Sequence, residues 1–127
     1  MIFMMAIEQD FDELDFAVRA IQQSTMRCRT SSIPVVTAIK GLTLGGGCEF
    51  TMHSDAAVAA AETYIGLVEV GVGLIPGGGG TKEMALRASD AYYNGDPMIP
   101  QLAERFTAIA TAKVATSAIE GFNIGVL

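Results

Sequence analysis

The sequence predicts a single α/β domain with one modest hydrophobic core. The chain has 127 residues, half of them hydrophobic and 14 of them glycine, a composition typical of strands and helices joined by tight turns. A β-branched run after Pro34 indicates a strand, and apolar residues at helical spacing on either side indicate helices. Because the chain is too short for a second core, we expect one domain over residues 1–127.

The first long helix is predicted from Asp10 to Cys28. Its apolar residues recur at helical spacing: Phe11, Leu14, Val18, Ile21 and Cys28. We interpret the acidic cluster Glu8–Asp15 as a solvated face that complements the helix dipole, rather than as a metal or partner site. The apolar opening at 1–7 resembles neither a signal peptide nor a membrane span, and we interpret it as a cut through a larger domain.

The middle of the chain predicts strands around a glycine-rich turn. Val35–Ile39 follows Pro34 as a strand, and a short helix is expected from Gly46 to about Ser54. Asp55–Ala61 is predicted to be a strand of small residues, and Tyr64–Gly73 a second extended stretch.

The last third of the chain predicts helices. We expect one over about Lys82–Ala88 with Thr81 as its N-cap, and another over about Pro100–Lys113. Ser117 and Glu120 have capping-box spacing, which predicts a final short helix.

Charge and cysteine content exclude several classes of partner. With 8 basic and 14 acidic residues the net charge is -6, so we expect neither nucleic acid nor an anionic membrane surface as a partner. Cys28 and Cys48 are far apart and lack CxxC spacing, which predicts no disulfide framework and no metal site. A reducing cytoplasm is the expected location.

Three familiar catalytic or nucleotide motifs are absent from the sequence. Lys82 is preceded by threonine and followed by glutamate, which is not a Walker A pattern, and Gly71–Ile75 leads into Pro76 where a dinucleotide fingerprint needs glycine. NAD binding by this chain is therefore not expected. His53 is the only histidine and no G-x-S-x-G elbow is present, so we interpret His53 as a packed or capping residue.

The stretch Thr43–Glu49, together with Glu69, is the candidate site. Gly45 and Gly46 lie at a strand-to-helix turn, where unpaired N–H groups face any negative charge. Two carboxylates beside such a turn are able to hold a water molecule and add it to a conjugated double bond while charge collects on an enolate oxygen. From residue types alone, the inference of such a catalytic site is weak, because pairs of glutamates are common.

Four runs between residues 33 and 88 resemble the core of the crotonase, or enoyl-CoA hydratase/isomerase, superfamily. They are Ile33-Pro34-Val35-Val36-Thr37-Ala38, Leu44-Gly45-Gly46-Gly47-Cys48-Glu49, Gly66-Leu67-Val68-Glu69 and Gly73-Leu74-Ile75-Pro76-Gly77-Gly78-Gly79-Gly80-Thr81. The resemblance implies a ββα-repeat core of the ClpP/crotonase type, truncated at both ends, with residues 33–88 as its core.

The resemblance also implies roles for four residues. Glu49 and Glu69 are similar to the two acid/base glutamates, and the Gly46 N–H, next to Gly45, to one oxyanion-hole donor. Retention of both glutamates favours a 2-enoyl-CoA hydratase. The alternatives are an isomerase of the same fold, and a catalytically silent fragment that acts as a folding or assembly module.

The tail from Lys82 to Ala118 is more similar to the hydratase region of fused 3-hydroxyacyl-CoA dehydrogenase/enoyl-CoA hydratase proteins of fatty-acid β-oxidation. This similarity implies an acyl-CoA thioester substrate, no cofactor in this domain, NAD only in a fused dehydrogenase domain, and a trimer-based homo-oligomer. Val68 and Gly78 depart from the usual proline and alanine of the family. The second oxyanion donor and much of the CoA-binding surface are expected upstream of the matched region.

Overall fold

The protein is described by a computed structural model over residues 2–127. The helices are Ile2–Ile7 (α1), Phe11–Arg29 (α2), Gly46–Met52 (α3), Gly80–Asp90 (α4), Met98–Ala110 (α5) and Ala118–Ile124 (α6). The strands are Val36–Ile39 (β1), Leu42–Leu44 (β2), Ala56–Ala59 (β3) and Tyr64–Gly66 (β4), and a 3-10 helix spans Glu69–Val72. Within the described residues no helix is both long enough and apolar enough to cross a bilayer.

Two ββα repeats form the centre of the fold. The first is β1, β2 and α3, and the second is β3, β4 and α4 with the 3-10 helix inserted. Equivalent strands pair in parallel. Strand β1 pairs with β3, and β2 pairs with β4 so that Leu42 lies opposite Tyr64. Because parallel strands end at the same edge, the residues that follow β2 and β4 meet there. The Gly45 N–H confirms this by donating to the Gly66 carbonyl at 3.0 Å.

The long N-terminal helix α2 lies within one residue of its predicted bounds. Asp10 caps it, since its Oδ1 accepts a hydrogen bond from the Glu13 N–H at 3.1 Å. Arg27 and Arg29 lie in the last turn, where cations complement the helix dipole.

Two predictions for the central ββα repeats are wrong. Strand β2 lies where only a turn was predicted, because a three-residue strand leaves no periodicity to detect. The predicted extended stretch Tyr64–Gly73 ends at Gly66, and Glu69 begins a 3-10 helix instead. Gly73 closes this helix at φ 79°, a left-handed conformation that glycine adopts without steric cost.

Helix starts also differ from expectation at α4 and α5. The N-cap of α4 is Gly79 rather than Thr81, whose hydroxyl donates instead to the Pro76 carbonyl at 3.4 Å. Helix α5 begins at Met98, two residues early, and ends at Ala110. The Ser117 cap is confirmed, since its Oγ accepts from the Glu120 N–H at 3.2 Å.

The hydrophobic core gathers around β4. Its buried members are Cys48, Met52, Ile65, Leu67, Met84, Ala108, Ala115 and Val126. Ile65 and Ala115 exchange two backbone hydrogen bonds of 3.1 and 2.8 Å, which fasten the segment before α6 onto β4. The C-terminal helices thereby hold in place the strand from which Glu69 follows.

We predict that Gly66→Ala destabilises the fold. A Cβ at Gly66 would overlap the Lys113 carbonyl oxygen, and a backbone neighbour does not move aside as a side chain would. The free energy of unfolding in urea is expected to fall by about 1–3 kcal/mol.

The matched control is Gly71→Ala. A Cβ at Gly71 makes only an ordinary contact of 3.7 Å, with Ala112, and its φ is not positive. Equal destabilisation by the two variants would contradict the close approach at Gly66.

Candidate active site

A cavity of about 540 Å³ opens between α2 and the ends of β2 and β4. Its lining is mainly apolar, with two carboxylates: Ala6, Leu14, Val18, Ile21, Gln22, Gly46, Glu49, Glu69, Leu74, Ile75, Gly77 and Gly78. The apolar face that the sequence predicts for α2 therefore forms one wall of the cavity, at Leu14, Val18 and Ile21. Pockets of this size and character are typical of small-molecule sites.

Two polar side chains of α2 hold the glycine loop 77–80 beside the cavity. Gln22 Nε2 donates to the Gly77 carbonyl at 2.8 Å, and Thr25 Oγ1 donates to the Gly78 carbonyl at 2.7 Å. Thr25 is almost fully buried. The loop is thus hydrogen-bonded to α2 at two consecutive carbonyl groups.

The Glu49 carboxylate lies against this loop. Glu49 is 3 % exposed, and its Oε1 accepts a hydrogen bond from the Gly80 N–H at 2.9 Å. A Cβ at Gly78 would overlap Glu49 Oε2. Glycine at position 78 thus leaves the space that the Glu49 carboxylate occupies.

Burial raises the pKa of Glu49 above its ordinary value. The hydrogen bond from Gly80 offsets part of this rise, the negative charge of Glu69 adds to it, and the Gly78 N–H offsets a further part. Burial is the largest cause, because an ionised carboxylate loses its hydration in this position.

Glu69 lines the cavity from the second ββα repeat. It follows β4 as the first residue of the 3-10 helix, and both its carboxylate oxygens are buried without a hydrogen-bond partner in the described part of the chain. Burial raises the pKa of Glu69, and the nearby N–H groups of Glu69 itself and of Val68, although outside hydrogen-bonding geometry, lower it in part. An unpartnered buried carboxylate calls for an explanation, such as a role in binding or catalysis.

The glycine turn before α3 accommodates this second carboxylate. Gly45 has φ 55°, and a Cβ there would stand 3.3 Å from Glu69 Oε1. Gly46 is the first residue of α3, where the N–H has no partner within the helix, and it lines the same cavity. The four residues predicted from the sequence, Gly45, Gly46, Glu49 and Glu69, are therefore brought together.

The environment of the neighbouring Cys48 disfavours a nucleophilic role. Burial raises the pKa of the Cys48 thiol to about 12, and the charge of Glu69 adds to that rise. The thiol stays protonated near neutral pH, and only a thiolate is reactive.

The sequence reasoning missed Gln22, Thr25, Gly78 and Gly80 as parts of the site. A long run of glycines before a helix was the available signal, but no role in the site was predicted for it. The partners of these residues lie more than thirty positions away, so spacing gives no indication of them.

We predict that replacing either glutamate by glutamine stabilises the fold near neutral pH. A carboxyl group whose pKa is raised by folding contributes stability below its unfolded pKa, and this contribution is lost as the pH rises through the folded value. Glutamine is never ionised, so Glu49→Gln and Glu69→Gln are each expected to gain on the order of 1 kcal/mol at neutral pH.

Urea unfolding between about pH 4 and about pH 8 checks this prediction. The gain should shrink towards the acid end, where the wild-type carboxyl groups are protonated, and Glu62→Gln at an exposed position controls for the change in net charge. A gain that stays constant with pH would contradict the assignment.

Comparison with known proteins identifies the class. The family described as enoyl-CoA hydratase/isomerase matches residues 5–123, and the chain belongs to that family. Its structure is similar to the crystal structure of enoyl-CoA hydratase from Bacillus anthracis, with a TM-score of 0.74 and 27% identity over 91% of this chain and 40% of that one. The fold is that of the crotonases, as the resemblance implied.

Two curated relatives place the chain within the family. It is 43% identical over all 127 residues to the "Probable 3-hydroxyacyl-CoA dehydrogenase" of Bacillus subtilis, and it spans 16% of that protein. It is 44% identical over 52 residues to the short-chain-enoyl-CoA hydratase of Clostridium acetobutylicum, a match that covers 41% of this chain and 20% of the relative. The chain therefore spans about a fifth or less of these relatives.

Proposed function

We propose that this chain carries the catalytic core of a hydratase that reversibly adds water to a 2-enoyl-CoA to give a 3-hydroxyacyl-CoA. The observation that supports it is the placement of Glu49, Glu69 and Gly46 on one mainly apolar cavity. A hydratase needs two acid/base groups and a polarising donor in a site that accepts an acyl chain.

The proposed reaction uses the two carboxyl groups as a pair. One glutamate removes a proton from water, whose oxygen bonds to C3 of the enoyl group, and the other delivers a proton to C2. Charge that collects on the thioester oxygen is stabilised by the Gly46 N–H. The net change is the addition of one water molecule across the double bond.

The raised pKa values of Glu49 and Glu69 support this pairing. A raised pKa keeps a carboxyl group protonated to a higher pH than usual, which favours one glutamate as the acid and leaves the other as the base.

The relatives suggest the setting of the reaction. Since one relative is named as a 3-hydroxyacyl-CoA dehydrogenase, we infer that the hydration product passes to such an activity in fatty-acid oxidation, with NAD bound by that other domain. We further propose that the substrate is an acyl-CoA thioester, that the protein forms a trimer-based homo-oligomer and that its location is cytoplasmic.

The test measures the absorbance of the conjugated thioester. Incubation of the chain with crotonyl-CoA is expected to reduce that absorbance and to yield 3-hydroxybutyryl-CoA. An isomerase would instead increase the absorbance when it is given a 3-enoyl-CoA. No change with either substrate would reject catalysis by this chain.

A second candidate, a non-catalytic assembly module, is favoured by exposed apolar side chains on the strands. Val36, Leu42 and Val58 are 58%, 75% and 64% exposed. Apolar surface of this kind is usually covered by a partner. A molecular mass that rises with concentration, in a chain that does not bind crotonyl-CoA, would support this function over the first.

A further inference from the structure

A second buried polar cluster lies behind the Glu49 side of the cavity. His53 and Glu83 are both fully buried, and His53 Nε2 and both oxygens of Glu83 lack hydrogen-bond partners in the described residues. His53 Nε2 and Glu83 Oε1 face each other at 3.6 Å, which is longer than a hydrogen bond. Buried groups in such a state are costly, so their placement calls for an explanation.

His53 is tied to Glu49 through the backbone. It is the C-cap of α3, and its Nδ1 lies 2.7 Å from the Glu49 carbonyl oxygen. A carbonyl oxygen only accepts hydrogen bonds, so Nδ1 must carry a proton. The ring orientation is thereby fixed, with Nε2 directed towards Glu83 on α4.

The ring also supports the glycine loop that contacts the Glu49 carboxylate. A Cβ at Gly79 would stand 2.7 Å from both Cε1 and Nε2 of His53, so the backbone at Gly79 packs directly on the ring. Gly79 is followed by Gly80, whose N–H donates to Glu49 Oε1. The imidazole thus contacts the Glu49 backbone on one side and the segment that holds the Glu49 side chain on the other.

We propose that His53 is a positioning residue: held by the Glu49 carbonyl and facing Glu83, its ring keeps Gly79 and Gly80 against the Glu49 carboxylate. The inference deepens the proposed hydratase function, because the group that is placed is one of its two acid/base residues. It does not depend on that function for its test, because the placement is measured without turnover.

The charged groups that face this ring come from two helices. Arg29 of α2 lies 3.4 Å from Glu83 Oε2, and Lys82 of α4 lies 2.9 Å from Glu83 Oε1 at an angle outside hydrogen-bonding geometry. Burial, with Lys82 and Arg29, lowers the pKa of His53, while the Glu49 carbonyl and Glu83 oppose that shift. The ring is therefore expected to be neutral near neutral pH, with its proton on Nδ1.

Nuclear magnetic resonance of the wild-type chain tests the ring state directly. His53 is the only histidine, so one set of imidazole ¹⁵N signals reports on it without ambiguity. We expect a protonated Nδ1 near neutral pH. An unprotonated Nδ1, or a ring that titrates as a freely exposed imidazole, would overturn the proposal.

The loop contact is tested with His53→Asn, which retains a side-chain N–H near the Glu49 carbonyl but lacks the part of the ring under Gly79. Hydrogen exchange at the Gly80 amide is expected to accelerate about tenfold or more relative to exchange at the core amide of Ile65, because the Gly80 hydrogen bond to a carboxylate is lost. If His53→Asn only lowered the global stability of the fold, hydrogen exchange at the Gly80 and Ile65 amides would accelerate by a similar factor. That result would overturn the proposal.

Val126→Ala is the matched control, since it truncates a buried side chain of the core outside the cluster. It is expected to leave the ratio of Gly80 to Ile65 exchange unchanged. If His53→Asn does not fold, the wild-type ring measurement still decides. If the ratios of Gly80 to Ile65 exchange are as expected but the chain does not hydrate crotonyl-CoA, this inference stands and only the proposed function is rejected.

Discussion

Glu49→Gln and Glu69→Gln are each expected to lower kcat for crotonyl-CoA hydration by about 10²- to 10⁴-fold, the usual contribution of a positioned acid or base. Glutamine retains the size of the side chain, and at position 49 an oxygen for the Gly80 N–H, so the cavity should persist. What is lost is the ability to accept or deliver a proton. The measurement is the initial rate of absorbance loss at saturating substrate.

The double variant Glu49→Gln/Glu69→Gln separates paired from independent roles. If the two carboxyl groups act as a unit, the double variant should be little worse than the more damaged single variant. Glu62→Gln, at an exposed position, controls for the change in net charge. Rates in both single variants equal to that of this control would reject the two-carboxylate mechanism.

Gly79→Ala is expected to reduce kcat by about 10²-fold, the effect of a misplacement of about 1 Å in a catalytic group. Gly79 has φ 115°, which is unfavourable for any L side chain, and an added Cβ would meet the His53 ring at 2.7 Å. The loop must then shift, and the Gly80 N–H moves with it away from the Glu49 carboxylate.

The matched control is Gly77→Ala, two residues earlier in the same loop. A Cβ at Gly77 makes only an ordinary contact of 3.7 Å, with the Ile75 carbonyl, and its φ is not positive. At saturating substrate, the kcat of Gly77→Ala should fall less than that of Gly79→Ala, because the Gly80 N–H keeps its place. Equal loss in both variants would show that the loop tolerates no side chain anywhere, and would remove the special role of Gly79.

Local patterns predicted most of the helices and the identity of the candidate site. The apolar spacing in Phe11–Arg29 and the Ser117 cap depend on residues within a few positions of each other, and both features are confirmed. The two glutamates were singled out by the resemblance of their motifs to the crotonase core, and both line one cavity. Their catalytic roles stay predictions.

The errors arose where neighbours in space decide the conformation. Glu69 was predicted on an extended stretch but lies on a 3-10 helix. The one glycine of this helix, Gly71, and its C-cap Gly73 are compatible with either conformation until the rest of the chain packs against them. The cap of α4 was assigned to Thr81, but Gly79 takes that position because only glycine fits above the His53 ring.

The sequence by itself determined the α/β class and the strand-to-helix turn at Gly45 and Gly46, because propensity, periodicity and glycine runs are local properties. The resemblance of its motifs to a known family indicated the two carboxyl groups. Only the tertiary structure decided what surrounds those carboxyl groups. The loop that holds Glu49, the helix α2 that forms the cavity wall and the burial that raises both pKa values come from segments far apart in the chain. The physical reason is that desolvation and hydrogen bonding depend on which distant residues fold against a group, and residue spacing does not record those contacts.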